Sequence, residues 1–167
     1  GKAYGAKVVA AVSSEEKAAS ARAMGCDDII FYRREDVAAR VKELTGGEGV
    51  QTVFDSVGAD TFEGSLKSLR RRGVLVGCGT ASGPFPPIDA LRLAMQGSVY
   101  FTRPAFVDYF ADPVERAEMA GFWFEHLAAG RIRVEIGARY GLDQCIQAHR
   151  DLEAGKTIGS SVFVLED

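Results

Sequence analysis

The sequence predicts an α/β protein organised as a doubly wound parallel sheet. The first observation is alternation: KVVAAV then SSEEKAASARAMG, DDIIFY then EDVAARVKELTGG, QTVFDSVG then TFEGSLKSLRRRG, followed by VLVGCG and SVYFTRP. Short β-rich runs separated by helical stretches of about 10–15 residues mark parallel pairing, because a parallel partner is reached only through a crossover. The second is glycine: 19 of 167 residues, several of them between a strand and the next helix, suit the tight turns that such a chain makes.

Taken in order, Gly1 to Ala6 reads as the tail of an earlier helix and Lys7 to Val12 as a buried strand. Ser13 with Glu16 fits a Ser-x-x-Glu capping box, and Gly25 stands where a left-handed helix stop is expected. Arg70-Arg71-Arg72 sits between a helical stretch and the strand Gly73 to Gly79; the simplest reading is a solvated helix C-terminus. In VERAEMAGFWFEHLAAG the side chains of Phe122, Trp123 and Phe124 cannot share one helix face, so part of the cluster is expected to meet another element or a partner. From Arg131 the pattern changes to a β-rich arm (IRVEIGARYGL), a short helix (QCIQAHRDLEAG) and a last strand (SSVFVLE). This tail is expected to pack on something other than the main sheet.

Composition narrows the function classes. With 47% hydrophobic and 26% charged residues the chain is an ordinary globular sequence long enough for one sizeable core. Lys and Arg number 20 against 23 Asp and Glu, a net charge of −3, which argues against a nucleic-acid partner. No apolar stretch approaches the roughly 20 residues of a membrane span. Cys26, Cys78 and Cys145 are widely spaced and odd in number, without a CxxC pair, so a reducing, cytoplasmic compartment is expected and no metal site. His126 and His149 have no Ser or Cys partner at a recognisable spacing, and structural roles are expected for both.

The blocks SSEEK, IIFYRRED, ELTGGEGVQTVFDSVG, LRRRGVLVGCGTASGP, YFTRP and AHRDLEAGKTIGSS, in this order, resemble the zinc-independent NADPH:quinone oxidoreductases, the zeta-crystallin-like branch of the medium-chain dehydrogenase/reductase superfamily. The resemblance implies a Rossmann-like fold lacking its first strand and glycine-rich loop. It also implies an incomplete NADPH-binding domain over 1–130 and, over 131–167, a segment that in the family returns to the catalytic domain. In the strand order 3-2-1-4-5-6 the first strand is central, so its absence is expected to leave two half-sheets with unpaired inner edges.

At the tip of the first strand, where NAD-preferring folds carry an acid for the ribose hydroxyls, this chain has Ser13. The resemblance implies that Ser13, Lys17 and Tyr32 contact the 2′-phosphate of NADPH. Glu15 and Glu16 put negative charge into the same turn, and a structural reading competes: capping for Ser13, an exposed helix lysine for Lys17, strand-end packing for Tyr32. Ligands of doubly wound sheets lie at the carboxyl ends of the strands, here DSVG, GCGTASG and FTRP. By resemblance Ser56, Cys78, Gly79, Phe101 and Arg103 lie near the adenosine or nicotinamide halves. Where relatives often carry a phosphate-binding arginine in the last loop, this chain has Gly155 followed by Lys156, and whether Lys156 substitutes stays open.

The activity this implies is hydride transfer from NADPH to a quinone or similar electron-poor small molecule, with no catalytic side chain identified in this chain. An enoyl-thioester or aldehyde reductase of the same superfamily, and a non-catalytic nucleotide-binding or dimerisation fragment, are the alternatives. The chain alone is expected to be inactive. SVYFTRP resembles the edge strand through which family members pair their sheets, so a homodimer through Ser98–Pro104 is expected.

Overall fold

Residues 1–165 are described in a computed structural model; Asp167 and Glu166, the latter at the end of the expected last strand, lie outside the described residues. A 3-10 turn over Lys2–Tyr4 precedes β1 (Val9–Val12), α1 (Glu15–Ala23), β2 (Asp28–Phe31), α2 (Val37–Leu44), β3 (Val50–Asp55), α3 (Phe62–Ser68), β4 (Leu69–Gly77), α4 (Ala90–Met95), β5 (Tyr100–Thr102), α5 (Phe106–Tyr109), α6 (Pro113–Ala128), β6 (Ile136–Gly141), α7 (Cys145–Glu153) and β7 (Ser160–Val164).

Small polar side chains set the helix starts. Asp36 Oδ1 accepts from the Ala39 amide at 3.0 Å ahead of α2, and Asp89 Oδ1 from the Leu91 amide at 3.0 Å ahead of α4. For α1 the cap is Ser14, one residue later than the sequence suggests: Ser14 is extended and its Oγ accepts from the Lys17 amide at 3.3 Å. Ser13 is thereby not used for capping. Gly25 ends that helix region with φ +92, as expected.

The strands form three hydrogen-bonded groups: β1-β2, β3-β4-β5 and β6-β7. The β3-β4, β4-β5 and β6-β7 ladders are all parallel. In the first pair, the Asp27 amide donates to Val8 O at 2.8 Å and the Tyr32 amide to Val12 O at 3.2 Å, so both chains advance in the same direction. The fold is the expected α/β arrangement, with β1-β2 and β3-β4-β5 hydrogen-bonded as separate sheets and β6-β7 as a third.

The arginine run departs from its sequence reading. It belongs to β4, not to a helix end, because Leu69 turns extended directly after Ser68 and is buried there. Val50 pairs with Leu69 but Thr52 with Val74, two residues of β3 against five of β4, and this bulge absorbs the arginines. Arg72 takes φ 60 within it.

Two compact units divide the chain. One, Ala11–Ser13 with Ile30–Met119, is built on Phe62, Leu66, Leu69, Leu75 and Val99, with Val53, Phe85, Ile88, Leu93 and Phe101 packed against them. Phe62, Phe85 and Phe101 meet edge to face at centroid distances of 5.4–6.3 Å. The other unit, Gly1–Ala10 with Ser14–Ile29 and Ala120–Asp167, buries Ala18 and Ala148. In it Phe122 stacks on Tyr4 at 5.8 Å and lies 4.0 Å from the His126 ring, whereas Trp123 and Phe124 are exposed, as the one-face argument requires.

Candidate functional site

Parallel strands bring their carboxyl ends to one side, and β3, β4 and β5 are in register there: Asp55 pairs with Gly77, and Val76 with Thr102. Three short loops follow those ends, and hydrogen bonds lace them together. The Cys78 amide donates to Asp55 O at 2.8 Å, the Ala81 amide to Ser56 O at 3.3 Å, and the Ser82 amide and hydroxyl to Val57 O at 2.7 and 2.9 Å. The third loop joins through Arg103, whose Nη1 donates to Gly77 O at 3.1 Å. Close approach makes glycine obligatory at two points. A Cβ on Gly79 would stand 2.3 Å from Ser56 O, and one on Gly58, at φ +96, would stand 2.3 Å from Gly83 O.

Of the residues singled out from sequence, Ser56, Cys78, Gly79, Phe101 and Arg103 share this end of one sheet. Ser56 and Cys78 are exposed there. The Phe101 ring is committed to the aromatic core, so backbone is what it offers at the strand end. Arg103 spends one donor on holding Gly77.

Sequence reasoning passed over Asp55, the only buried carboxylate among the described residues at 4% exposure. Its Oδ1 accepts from the Val57 and Gly58 amides at 2.9 and 3.1 Å and from Thr61 Oγ1 at 2.8 Å; its Oδ2 accepts from Ser65 Oγ at 2.6 Å and from Thr61 Oγ1 at 2.9 Å. Burial alone would push its pKa up. The hydrogen bonds from Ser65, Gly58, Thr61 and Val57 outweigh burial and hold the carboxyl below its usual value. The legible signal was an aspartate followed by amides at the second and third residues, an Asx turn, with hydroxyls at the sixth and tenth.

At the other strand tips, Tyr32 follows β2 beside Val12, and the Arg33 guanidinium lies 6.0 Å from its ring centroid. Lys17, in the first turn of α1, is half-buried and makes no ion pair among the described residues. Its ammonium lies 3.9 Å from where a Cβ on Gly155 would stand, whereas the neighbouring Lys156 ammonium is 3.5 Å from Asp151 Oδ1. Lys156 is therefore engaged by Asp151 of the preceding helix, α7. The Lys17 ammonium thus has the chemistry that a phosphate contacts, and, separately, Ser13 at the β1 tip offers a hydroxyl not used for capping.

Near this lysine is an open depression of ≈ 570 Å³, lined by Ser20, Glu135, Tyr140, Asp151 and Lys156 among others. Ser20 Oγ donates to Glu135 Oε2 at 3.0 Å, and Tyr140 donates to Asp151 at 3.2 Å; burial and that carboxylate raise the phenol's pKa. No group of three His, Cys, Asp or Glu side chains among the described residues is disposed to hold a metal. No helix there is long and apolar enough to cross a membrane.

Parallel strands with glycine-bearing loops laced at their carboxyl ends define a Rossmann-like nucleotide-binding fold. The family model described as zinc-binding dehydrogenase matches residues 1–115, and the chain belongs to that family. A quinone oxidoreductase of Salmonella typhimurium is 42% identical over 165 residues, 98% of this chain and 50% of the relative. A mycobacterial structure complexed with NADPH superposes with a TM-score of 0.93 at 44% identity, covering 98% of this chain and 51% of the other. The Escherichia coli quinone oxidoreductase complexed with NADPH gives 0.92 at 40% identity, with the same coverage. The chain spans about half the length of the curated relatives it matches.

Proposed function

We propose that this chain is the NADPH-binding half of an oxidoreductase that passes hydride from NADPH to a quinone or similar electron-poor small molecule. The observation that carries the reading is the laced carboxyl end of β3-β4-β5, in a chain whose like-folded relatives include a quinone oxidoreductase and a mycobacterial protein, each in complex with NADPH. Lys17, with Ser13 and Tyr32, would hold the 2′-phosphate; Ser56, the backbone at Cys78, Gly79 and Phe101, and Arg103 would line the remainder. When bound, NADPH supplies the hydride. The side chains named here bind and orient it, and none of them is assigned a proton-transfer role.

By the same resemblance the reaction is read as zinc-independent and the protein as a homodimer joined through the β5 edge, Ser98–Pro104. The three free cysteines, among them the exposed Cys78 and Cys145, fit a reducing cytoplasmic compartment.

The test is fluorescence titration of the intact natural protein carrying this sequence with NADPH and NADH. NADPH is expected to bind more tightly, and Lys17→Ala to weaken NADPH roughly ten- to a hundredfold while leaving NADH nearly unchanged, since one charge-assisted phosphate contact contributes roughly 1.5–3 kcal/mol. A preference for NADH in the wild type, or no binding of either, would overturn the assignment.

A further inference from the structure

A buried carboxylate at a strand end is costly, since ionised groups are retained in protein interiors only where donors replace the lost water. At Asp55 that replacement comes from four donors, two backbone amides and two hydroxyls, with the Thr61 hydroxyl within reach of both oxygens. Thr61, at the N-cap of α3, and Ser65 within it lie four residues apart, so the carboxylate ties that helix to the loop after β3. The helix's first residue position gains nothing from this, because Thr61 makes no side-chain cap bond.

The bonds to Val57 and Gly58 act on the other side of the residue. They fix the direction of the Ser56–Gly58 backbone, whose carbonyls at Ser56 and Val57 in turn receive the amides of Ala81 and Ser82 from the second loop. Asp55's own carbonyl receives the Cys78 amide. One side chain thus sets the path of two adjacent loops, with the exposed Ser56 and Cys78 on their open side. An apolar residue would fill the same space without orienting any of these amides.

We propose that Asp55 is a positioning residue for the coenzyme, holding the loops after β3 and β4 in the shape that receives the part of NADPH beyond its adenosine phosphate end. The inference rests on the NADPH reading above. It places affinity in a residue that touches no ligand, because a pre-organised loop does not have to be ordered at the moment of binding.

The test compares two ligands on the intact natural protein: NADPH, and adenosine 2′,5′-bisphosphate, which reports only the Lys17 end. Asp55→Ala is expected to weaken NADPH by at least about tenfold while the bisphosphate stays within about twofold of wild type, a split that global destabilisation does not produce. Asp55→Asn keeps an oxygen for the two amides and is expected to recover most of the NADPH affinity. Should Asp55→Ala not fold, Ser65→Ala, which removes one donor to Oδ2, carries the comparison and is expected to weaken NADPH more than the bisphosphate. NADPH affinity unchanged in the folded variants, or both ligands weakened alike, would overturn this inference and leave the coenzyme reading standing. A wild type that binds the bisphosphate and NADPH not at all would remove both.

Discussion

Arg72 holds a backbone conformation that a side chain disfavours, φ 60 in the bulge of β4, with its amide bonded to Gly97 O at 2.8 Å. The side chain itself is exposed, so little packing compensates for the strain. Arg72→Gly is expected to raise stability by up to about 1 kcal/mol, read as a higher urea midpoint at unchanged slope; an unchanged or lowered midpoint would show that the arginine's surface contacts outweigh the backbone term. The strain was not legible in RRRG, because a left-handed residue is dictated by where the chain must return to the ladder. Lys17 is the opposite case. Its cation was visible in SSEEK, but only the structure distinguishes it from Lys156, whose ammonium is held by Asp151.

At the scale of elements, Ser13 and Ser14 are neighbours with separate assignments. Ser14 caps α1, whereas Ser13 ends up at the β1 tip without that duty. Ser14→Ala is expected to cost about 0.5–2 kcal/mol of stability. Ser13→Ala is expected to leave the thermal midpoint within a degree or so of wild type and to weaken NADPH, since a half-buried hydroxyl that caps no helix adds little to folding. Equal loss of stability in both variants would show the two hydroxyls sharing the cap. The strand-helix order was readable because each period, two for strands and 3.6 for helices, is written locally. The bulge after Arg70 was not, since a run of arginines after a helical pattern has no local mark of strand pairing.

For the molecule as a whole, β5 is the terminal strand of its sheet, and Tyr100 on it is 57% exposed. An unpaired edge of this kind is a template for a second copy, and two such edges meeting about a two-fold axis would continue the sheet. Tyr100→Lys, which places a charge on that edge, is expected to shift the intact protein from dimer toward monomer in sedimentation velocity, with NADPH affinity retained. A wild type that sediments as a monomer, or a variant dimer of unchanged strength, would overturn pairing through β5.

The chain by itself determined the α/β class, the glycine-bearing turns and the neutral strand tip at Ser13, because these depend on local periodicity, backbone freedom and the sign of one side chain. Only tertiary structure decided that Asp55 ties α3 to two loops, that Phe101 belongs to the core and that Arg103 holds Gly77. The partners of the Asp55 carboxylate lie within ten residues of it, but the bonds from the second loop to Ser56 and Val57, the Phe101 packing and the Arg103–Gly77 bond join residues distant in sequence, and such contacts exist only once the strands that carry them have been brought side by side.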